Sequence, residues 1–525
     1  MVYICVIIWL MYMYYRLKKS LHMLQQNLYD DDYRYFKWTI KNFSKIMLSF
    51  DLSQVFLIFF ILFIPSKNLG IIEILFLIIY ILLFLRSFGL SYKEVIKKPL
   101  VVTARIKRLI VTILLITIIP SYFLIKSGIN IYLVLSFIGY FTYYIVLVAC
   151  KLNIPVERCV FLSFKRKAVN KLKNMSNLKV IGITGSYGKT SSKNILNEIL
   201  NVKYNSITTK KNLNTPYGLI MTINNDLDKF DEVFIAEMGA YKIGEIKELC
   251  DLVKPKYGII TRIGKAHLEL FGSQENIQKG KFELLEALPS DGVCVLNADD
   301  PLQVSYEPKN KVKRIWIGID NDCDFRATNI KVSNKGSSFD LIIKGDKNKY
   351  KFETKLLGYA NIYNILSAIA LGYEFKISVN QLISAVKSVN PIEHRLELKR
   401  GNGVYYLDDA YNSNPVGAKM ALDVLGMMSG YKIVVTPGMI ELGSSEYKEN
   451  YDFGCRIADV ADEVILIGEK QTEAIKQGLE SMGYDNKKIH IEEDVINAFP
   501  LINKLKRGET YVLLENDLPD IFNEK

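Results

Sequence analysis

Apolar segments alternate with basic segments in the first 150 residues. The apolar runs lie at 1–15, 55–65, 71–85, 109–125 and 131–149. A membrane-spanning helix needs about 20 predominantly apolar residues, so flanking Tyr, Phe and Ser side chains must complete the shorter runs. The pattern predicts a transmembrane region of about five helices over residues 1–150. This region can serve as an anchor alone or can also bind lipid or substrate.

The segments between the runs predict the orientation of these helices. Residues 16–50 and 86–108 hold seven Lys and Arg each, whereas 66–70 and 126–130 hold one each. Cytoplasmic loops are enriched in Lys and Arg, so we expect an external N-terminus and cytoplasmic domains after the last run. The predicted location is the cell membrane, with several spans. A basic juxtamembrane linker over residues 151–174 would contact the anionic lipid bilayer.

From about residue 175 the pattern changes to short β-branched runs that alternate with amphipathic helical segments. The strands are expected at 179–184, 232–236, 432–436 and 463–467. This alternation is typical of parallel α/β domains. It predicts a central domain over residues 175–390 and a smaller Rossmann-like domain over 391–525.

The turn after the first strand has the composition of a phosphate-binding loop. It reads Gly185-Ser186-Tyr187-Gly188-Lys189-Thr190 and opens a helix that ends at Leu200. Backbone N–H groups at a helix N-terminus hold anionic oxygens, while the lysine reaches outer phosphates and the threonine hydroxyl binds Mg²⁺. Ile183 replaces the first glycine of the strict motif. A tight turn without phosphate would also favour glycine, but it would not require Lys-Thr at its end. We therefore predict a P-loop-type ATPase domain that binds ATP and Mg²⁺.

Charge and cysteine content exclude other classes of protein. The chain has a net charge of +12: residues 1–174 hold 23 Lys and Arg against 7 Asp and Glu, a charge of +16, whereas residues 175–525 hold 44 against 48, a charge of −4. Membrane topology explains this excess better than nucleic acid, for which the acidic part has no basic-aromatic binding module. The seven cysteines form no C-x-x-C pair, which favours free thiols in a reducing compartment.

Several ordered motifs resemble the Mur ligases, the amide-forming enzymes that add amino acids to the peptidoglycan precursor. After the loop 182–190 the motifs are Glu237-Met-Gly-Ala, Ile263-Gly-Lys-Ala-His267-Leu-Glu269, Lys279-Gly-Lys281-Phe-Glu-Leu, Gly358-Tyr-Ala-Asn361-Ile-Tyr-Asn364, His394-Arg395-Leu-Glu397 and Asp408-Asp409-Ala-Tyr-Asn412-Ser-Asn414-Pro415. The resemblance covers residues 178–520. It is strongest to the branch that adds D-alanyl-D-alanine to the UDP-N-acetylmuramoyl tripeptide.

The resemblance implies an ATP-dependent carboxylate–amine ligase that acts in peptidoglycan synthesis. A free carboxylate does not condense with an amine, so the reaction is expected to pass through an acyl phosphate. The implied partners are ATP, a carboxylate-bearing peptidoglycan precursor and an amino-acid or dipeptide amine. Two alternatives stay open. The same chemistry could use another amino acid or a lipid-linked or polymeric acceptor, or the chain could be a non-catalytic membrane scaffold.

The catalytic residues that the resemblance implies are Lys189, Glu237, His267, Lys281 and Arg395. Thr190 and Glu237 would bind one Mg²⁺, although an acidic residue after a strand is also a common helix cap. His267 would bind a second Mg²⁺ together with Lys281 in carbamate form, an N6-carboxylysine. A structural histidine and a solvated lysine are the alternatives, and Lys279 lies close to Lys281 in the sequence.

The resemblance also implies the residues that hold the nucleotide. Asn361 and Asn364 are three residues apart and share one helical face, where the related enzymes hold the adenine; capping of a helix start is the alternative. Ala360 stands in place of the family's usual histidine. Arg395 would reach the ATP phosphates and Asp409 the ribose when the last domain closes.

The expected substrate-binding residues are Asn212, Asn214, Asn412 and Asn414. The segment 212–218 departs from the corresponding loop of the D-alanyl-D-alanine-adding enzymes, and only its two asparagines carry over. The family's N-terminal domain, which holds the UDP-sugar, is not recognisable, because the predicted transmembrane region occupies its place. Anchoring suggests that the carboxylate substrate is lipid-linked or is handed over at the membrane.

Overall fold

The computed structural model describes residues 1–27, 29, 34–63, 69–93, 99–264, 266–411, 413–440 and 442–517. The chain forms two compact units. One extends from Met1 to Ser163, and the other begins at Phe164.

The first unit is helical in the part of the chain that the structure describes. Its helices are α1 (Val2–Gln26), α2 (Phe36–Lys41), α3 (Phe43–Ile46), α4 (Leu52–Phe63), α5 (Leu69–Lys93), α6 (Ala104–Lys126), α7 (Ile131–Tyr140) and α8 (Thr142–Lys173). Helix α8 continues to Lys173, past the end of the first unit at Ser163, so it covers nearly all of the segment 151–174 that was predicted as a linker.

Two helices of the described residues are long and apolar enough to cross a membrane, Leu69–Tyr92 and Ala104–Lys126. Helices α7 and α8, which meet at a bend of 75°, would give a third if they formed one broken span. This is fewer than the five predicted. Helix α4 has 12 residues, short of the roughly 20 that a span requires, and the second half of α1 carries Arg16, Lys18 and Lys19.

The interior of the first unit contains a paired charge that the apolar pattern does not reveal. Arg16 Nη1 lies 2.6 Å from Asp51 Oδ1, and the Arg16 side chain is 5% exposed. Tyr12 donates a hydrogen bond of 2.7 Å to the same carboxylate oxygen, and Gln54 donates one of 2.9 Å to the Tyr12 hydroxyl. Buried charges are costly unless they are paired and hydrogen-bonded, so these contacts keep the pair in the interior.

The second unit contains two sheets. The strands are β1 (Lys179–Thr184), β2 (Ser206–Thr208), β3 (Val233–Glu237), β4 (Tyr257–Ile260), β5 (Val293–Asn297), β6 (Lys313–Gly318), β7 (Phe325–Ser333), β8 (Gly336–Ile343), β9 (Lys349–Thr354), β10 (Glu397–Gly401), β11 (Val404–Asp409), β12 (Tyr431–Thr436), β13 (Glu463–Ile467), β14 (Ile489–Glu492) and β15 (Thr510–Glu515). The helices are α9 (Lys189–Leu200), α10 (Pro216–Asn225), α11 (Glu245–Val253), α12 (Leu268–Phe271), α13 (Gln274–Glu286), α14 (Pro301–Val304), α15 (Gly358–Glu374), α16 (Val379–Ser388), α17 (Pro415–Gly426), α18 (Glu446–Val460), α19 (Glu473–Ser481) and α20 (Val495–Leu505).

The strand orders confirm the predicted α/β class. The larger sheet has the order β2-β3-β1-β4-β5-β6-β7-β8-β9. Its strands pair in parallel from β2 to β7, and β8 and β9 are antiparallel. The smaller sheet has the order β10-β11-β15-β12-β13-β14, with only β10 antiparallel to its neighbour. Ligands of such sheets bind beyond the carboxyl ends of the parallel strands, and the predicted site residues follow those ends.

Candidate active site

Two glycines give the loop between β1 and α9 its shape. Gly185 has φ of 148° and Gly188 has φ of 80°, a backbone region that favours glycine. A Cβ atom on Gly185 would lie 1.9 Å from Thr261 Oγ1, and one on Gly188 would lie 2.9 Å from Asn364 Oδ1. The loop therefore excludes side chains at both positions and leads directly into the N-terminus of α9, where backbone N–H groups attract anions.

We expect Gly185→Ala to abolish measurable binding of a fluorescent ATP analogue, because the added methyl group cannot fit against Thr261 without moving the loop. Gly244→Ala is a matched control. Gly244 also has a positive φ, of 94°, but a Cβ there would meet open space. Equal losses of binding in the two variants would show that backbone strain, rather than the close approach to Thr261, produces the effect.

Lys189, the first residue of α9, folds over the loop. Its Nζ donates hydrogen bonds of 2.7 Å to the Gly185 carbonyl and 3.1 Å to the Ser186 carbonyl. Burial lowers the pKa of Lys189 to about 8; the charge of Glu237 opposes this shift and that of Arg395 adds to it. An anionic ligand would favour the charged amine, because an opposite charge nearby stabilises the ammonium form.

Glu237, the last residue of β3, is 1% exposed. It lies beside α9, which follows the phosphate loop and is called the phosphate-loop helix below. Its Oε2 accepts a hydrogen bond of 3.0 Å from Thr190 Oγ1 and lies 2.9 Å from Lys193 Nζ. Its Oε1 accepts one of 3.0 Å from Asn214 Nδ2. The Glu237 side chain thus contacts α9 and the loop 211–214. It does not cap a helix, which was the alternative role considered for this residue.

A cavity of about 320 Å³ brings most of the predicted residues together. Those that line it are Ser186, Tyr187, Gly188, Lys189, Thr190, Asn212, Asn214, Glu237, His267, Asn361, Asn364, Arg395, Asp409 and Asn414. Gly185 and Lys281 are not among the lining residues, and Asn412 lies outside the described residues. The lining comes from both sheets of the second unit, so the cavity lies between the two α/β domains.

Arg395 reaches the cavity from the start of the smaller domain. Its neighbours His394 and Leu396 have positive φ, of 57° and 51°, a backbone strain that is typical of functional sites. Two consecutive carboxylates hold this segment: the Leu396 N–H donates to Asp409 Oδ1 over 3.1 Å, and His394 Nδ1 lies 2.8 Å from Asp408 Oδ2. The sequence did not suggest that Asp408 holds His394 in place beside Arg395.

The guanidinium group of Arg395 packs on an aromatic ring, with Cζ 4.2 Å from the ring centroid of Tyr411. Such a cation–π contact fixes the direction of the side chain. Lys189 and Arg395 line the same cavity, where two positive charges would attract the phosphates of a nucleotide.

The comparisons with known proteins match the ligase motifs. Residues 183–372 match the Mur ligase middle domain, and residues 394–514 match the Mur ligase glutamate ligase domain. The UDP-N-acetylmuramoyl-tripeptide–D-alanyl-D-alanine ligase of Buchnera aphidicola subsp. Baizongia pistaciae is 30% identical over 352 residues, which are 65% of this chain and 76% of that protein. The chain belongs to the Mur ligase family.

Two further members of the Mur ligase family show how much of the chain is shared. The enzyme of the same name from Bacillus subtilis (strain 168) is 33% identical over 296 residues, or 55% of this chain. The match spans 63% of that relative, which is less than two thirds of its length. The structure of MurF ligase from Thermotoga maritima in complex with ADP superposes with a TM-score of 0.61 at 25% identity, and covers 68% of this chain and 80% of that one.

The two asparagines predicted to hold the adenine of a Mur ligase nucleotide differ in their contacts. Asn364 Oδ1 accepts a hydrogen bond of 2.8 Å from Ser192 Oγ of α9, so it joins α15 to the phosphate-loop helix. Asn361 Nδ2 donates one of 2.9 Å to the Leu357 carbonyl at the start of its own helix. Both line the cavity, and their role in holding adenine stays a prediction.

The metal residues predicted from the Mur ligase motifs fall into two places. Thr190 and Glu237 are in contact, as described above. His267 lines the cavity with φ of 58°, and its ring centroid is 4.6 Å from that of Tyr241. Lys281 is 2% exposed, and its Nζ donates a hydrogen bond of 3.3 Å to the Ala240 carbonyl. Within the described ranges no group of three or more His, Cys, Asp and Glu is placed to hold a metal ion.

Asn414 of the predicted substrate set has a local structural role, because it is the N-cap of α17. Its Oδ1 accepts a hydrogen bond of 2.8 Å from the Gly417 N–H. Asn214 is held by Glu237, whereas Asn212 is exposed at the cavity. Substrate binding by these asparagines stays a prediction.

The sequence analysis missed a carboxyl pair at the carboxyl edge of the smaller sheet, in which Glu515 is buried and Asp409 is half-buried. Asp409 and Glu515 are neighbours across the parallel strands β11 and β15, and Ser413 Oγ donates a hydrogen bond of 2.6 Å to Glu515 Oε1. Burial raises the pKa of Glu515 well above its usual range, and the charge of Asp409 adds to the shift. Burial likewise raises the pKa of Asp409 to about 6, against the charge of Arg395. An acidic residue that ends an apolar strand is the one sequence signal for Glu515.

We expect Glu515→Gln to raise the melting temperature, by an amount that increases from pH 5 to pH 8. A carboxyl whose pKa is raised on folding stabilises the fold while it is protonated and loses that contribution as the pH rises. The glutamine still accepts from Ser413 but carries no charge. Calorimetry of the solubilised full chain should show a gain of about 2–4 °C at pH 8, and little gain at pH 5. The exposed Glu493→Gln is the control, and a pH-independent gain would contradict the assignment.

Proposed function

We propose that this chain is an ATP-dependent carboxylate–amine ligase that adds D-alanyl-D-alanine to the UDP-N-acetylmuramoyl tripeptide. The observation that carries the proposal is the single cavity in which the phosphate loop, Glu237 and Arg395 converge from two domains. The relatives named above carry this activity in their names, and one solved relative binds ADP.

The residues around the loop fit a nucleotide with Mg²⁺. Thr190 Oγ1 and Glu237 Oε2 are 3.0 Å apart and provide the oxygen ligands that Mg²⁺ prefers. We assign these two residues to the metal, which would supply neutralisation of phosphate charge. Lys189 and the backbone N–H groups at the start of α9 hold the phosphates, and Arg395 faces them from the smaller domain.

The reaction then proceeds in two substitutions. A carboxylate oxygen of the acceptor attacks the γ-phosphorus of ATP, the bond to the β-phosphate oxygen breaks, and an acyl phosphate and ADP form. The amine nitrogen attacks the acyl carbon, inorganic phosphate leaves, and the nitrogen gives up a proton to the solvent as the amide forms. Lys189 and Arg395 stabilise the negative charge of the first step, and closure of the smaller domain over the cavity would keep water from the acyl phosphate.

The environment of Lys281 supports the proposal that this side chain is carbamylated. Burial lowers the pKa of Lys281 well below its usual range, and the charge of Lys189 adds to the shift. An uncharged amine can attack CO₂ and lose a proton, which converts the lysine into an oxygen ligand. Together with His267 it would hold a second Mg²⁺. A mass increment of one CO₂ on the peptide that contains Lys281, trapped by methylation, would support this modification.

We further propose that the first unit anchors the enzyme in the cell membrane with the ligase domains in the cytoplasm. The support is the two or three helices of sufficient length and apolarity, together with the basic segments beside them. Membrane fractionation with an alkaline wash tests the anchoring. Protection of a C-terminal tag from external protease in intact cells tests the orientation.

The ligase activity is tested with the detergent-solubilised full chain. Phosphate release from ATP is measured with UDP-N-acetylmuramoyl tripeptide, with and without D-alanyl-D-alanine, and the product is identified by mass. Release that requires both substrates, with formation of the pentapeptide product, is the expected result. Release with a lipid-linked peptide but not with the UDP-linked one would favour the second candidate, a ligase of membrane-bound acceptors, which the helical first unit supports.

A further inference from the structure

Lys193 is a buried lysine of the phosphate-loop helix, one turn after Lys189. Its side chain is 1% exposed, and its Nζ lies 2.9 Å from Glu237 Oε2, whose side chain is also 1% exposed. The same ammonium group donates a hydrogen bond to the carbonyl oxygen of Lys211. Lys193 is not among the residues that the family motifs implied.

The contacts of Lys193 connect three parts of the cavity wall. Its backbone belongs to α9, its ion pair is with the end of β3, and its hydrogen bond is to the loop 211–214. Asn214 of that loop donates to the other oxygen of Glu237 over 3.0 Å, and the Gly239 N–H donates to the Asn214 carbonyl over 2.8 Å. The loop 211–214 is thus hydrogen-bonded to Lys193 at one end, and to Glu237 and Gly239 at the other.

A buried ion pair is an expensive way to stabilise a fold. Removing each charge from water has a large desolvation cost, and apolar residues of similar size often give equal stability. The pair is therefore poorly explained by stability alone. What an apolar pair could not do is aim the Glu237 carboxylate at the hydroxyl of Thr190 and hydrogen-bond the neighbouring loop at the same time.

We propose that Lys193 is a positioning residue that holds Glu237 and the 211–214 loop in the arrangement required for nucleotide binding. It acts through Glu237 and does not itself contact the reacting atoms. The inference rests on the proposed function only in assigning Glu237 to the metal–nucleotide site. It does not depend on the identity of the acceptor or of the amine.

The test is a double-mutant cycle on the solubilised full chain, with binding of a fluorescent ATP analogue in the presence of Mg²⁺ as the readout. Lys193→Met should weaken binding by about 10- to 100-fold, the usual effect of losing a residue that supports a ligand of a metal site. Lys193→Arg, which keeps the charge, should recover part of that loss. Lys203→Met, an exposed lysine after the same helix, is the matched control and should bind like the wild type.

The combination with Glu237→Gln distinguishes positioning from packing. If Lys193 acts through Glu237, Lys193→Met will add less than about twofold to the loss that Glu237→Gln causes alone, because interacting residues are not additive. The double variant should also melt above either single variant, since each single change leaves a buried charge without its partner. This comparison applies even if Lys193→Met alone folds poorly.

Two results would overturn the inference. One is normal binding of the analogue by Lys193→Met with only a lowered melting temperature, which would make the pair structural. The other is multiplication of the two losses in the double variant. The binding assay contains no acceptor or amine, so its result does not depend on whether the proposed ligase reaction occurs. A failure of this inference can therefore be distinguished from a failure of the proposed function.

Discussion

Replacement of Arg395 by alanine is expected to slow ATP-dependent amide formation by about a thousand-fold, as loss of an arginine that stabilises phosphoryl transfer does in other enzymes. Arg395 is held in the cavity by the ring of Tyr411 and by a strained backbone that Asp408 and Asp409 clamp. Alanine removes the charge and leaves the clamp intact, so the domain should keep its fold.

The measurement for Arg395→Ala is the single-turnover rate of product formation at saturating ATP. Arg400→Ala is the matched control, because Arg400 also packs on a tyrosine, with Cζ 5.3 Å from the ring centroid of Tyr405, but is exposed outside the cavity. We expect the control to keep wild-type activity. An equal loss in both variants would indicate a general effect on the smaller domain, and a rate for Arg395→Ala within tenfold of wild type would refute the role.

Lys189→Met should reduce the ligation rate by about 100- to 1,000-fold, the loss seen when one preorganised donor is removed from a charged transition state. Methionine keeps much of the volume of the side chain, so the helix and loop should stay folded. The uncharged methionine cannot neutralise the phosphate oxygens, so binding of the ATP analogue should weaken as well.

Phosphate release and product mass are the measurements for Lys189→Met, with Lys203→Met as the control. Unchanged binding of the analogue together with unchanged turnover would show that the glycine-rich loop holds the nucleotide without this lysine. Loss of turnover with normal binding would restrict Lys189 to the chemical step.

Local sequence patterns were sufficient for the phosphate loop. Residues 185–190 are contiguous: the two glycines lie between β1 and α9, and the lysine and the threonine begin α9, as predicted. The strand that ends at Glu237 was also found to within one residue. These features depend on backbone propensities and on neighbours in the chain, which a sequence displays directly.

The helices of the first unit were less well predicted, because an apolar run in the sequence does not show where its helix ends. The run at 55–65 forms the short helix Leu52–Phe63, and the Arg16–Asp51 pair of the first unit joins α1 to the turn before α4. Such pairing depends on distant partners, so apolar periodicity could not show it.

The sequence by itself determined the α/β class, the phosphate loop and the order of the ligase motifs, since each of these depends on residues that are close together in the chain. Only the tertiary structure decided which side chains meet. It joined Lys193 to Glu237, fixed the residues on either side of Arg395 against Asp408 and Asp409, and paired Asp409 with Glu515. It also kept Lys281 out of the lining of the cavity that contains the phosphate loop. The physical reason is that burial and charge pairing act across strands and domains, between residues whose spacing in the chain carries no signal.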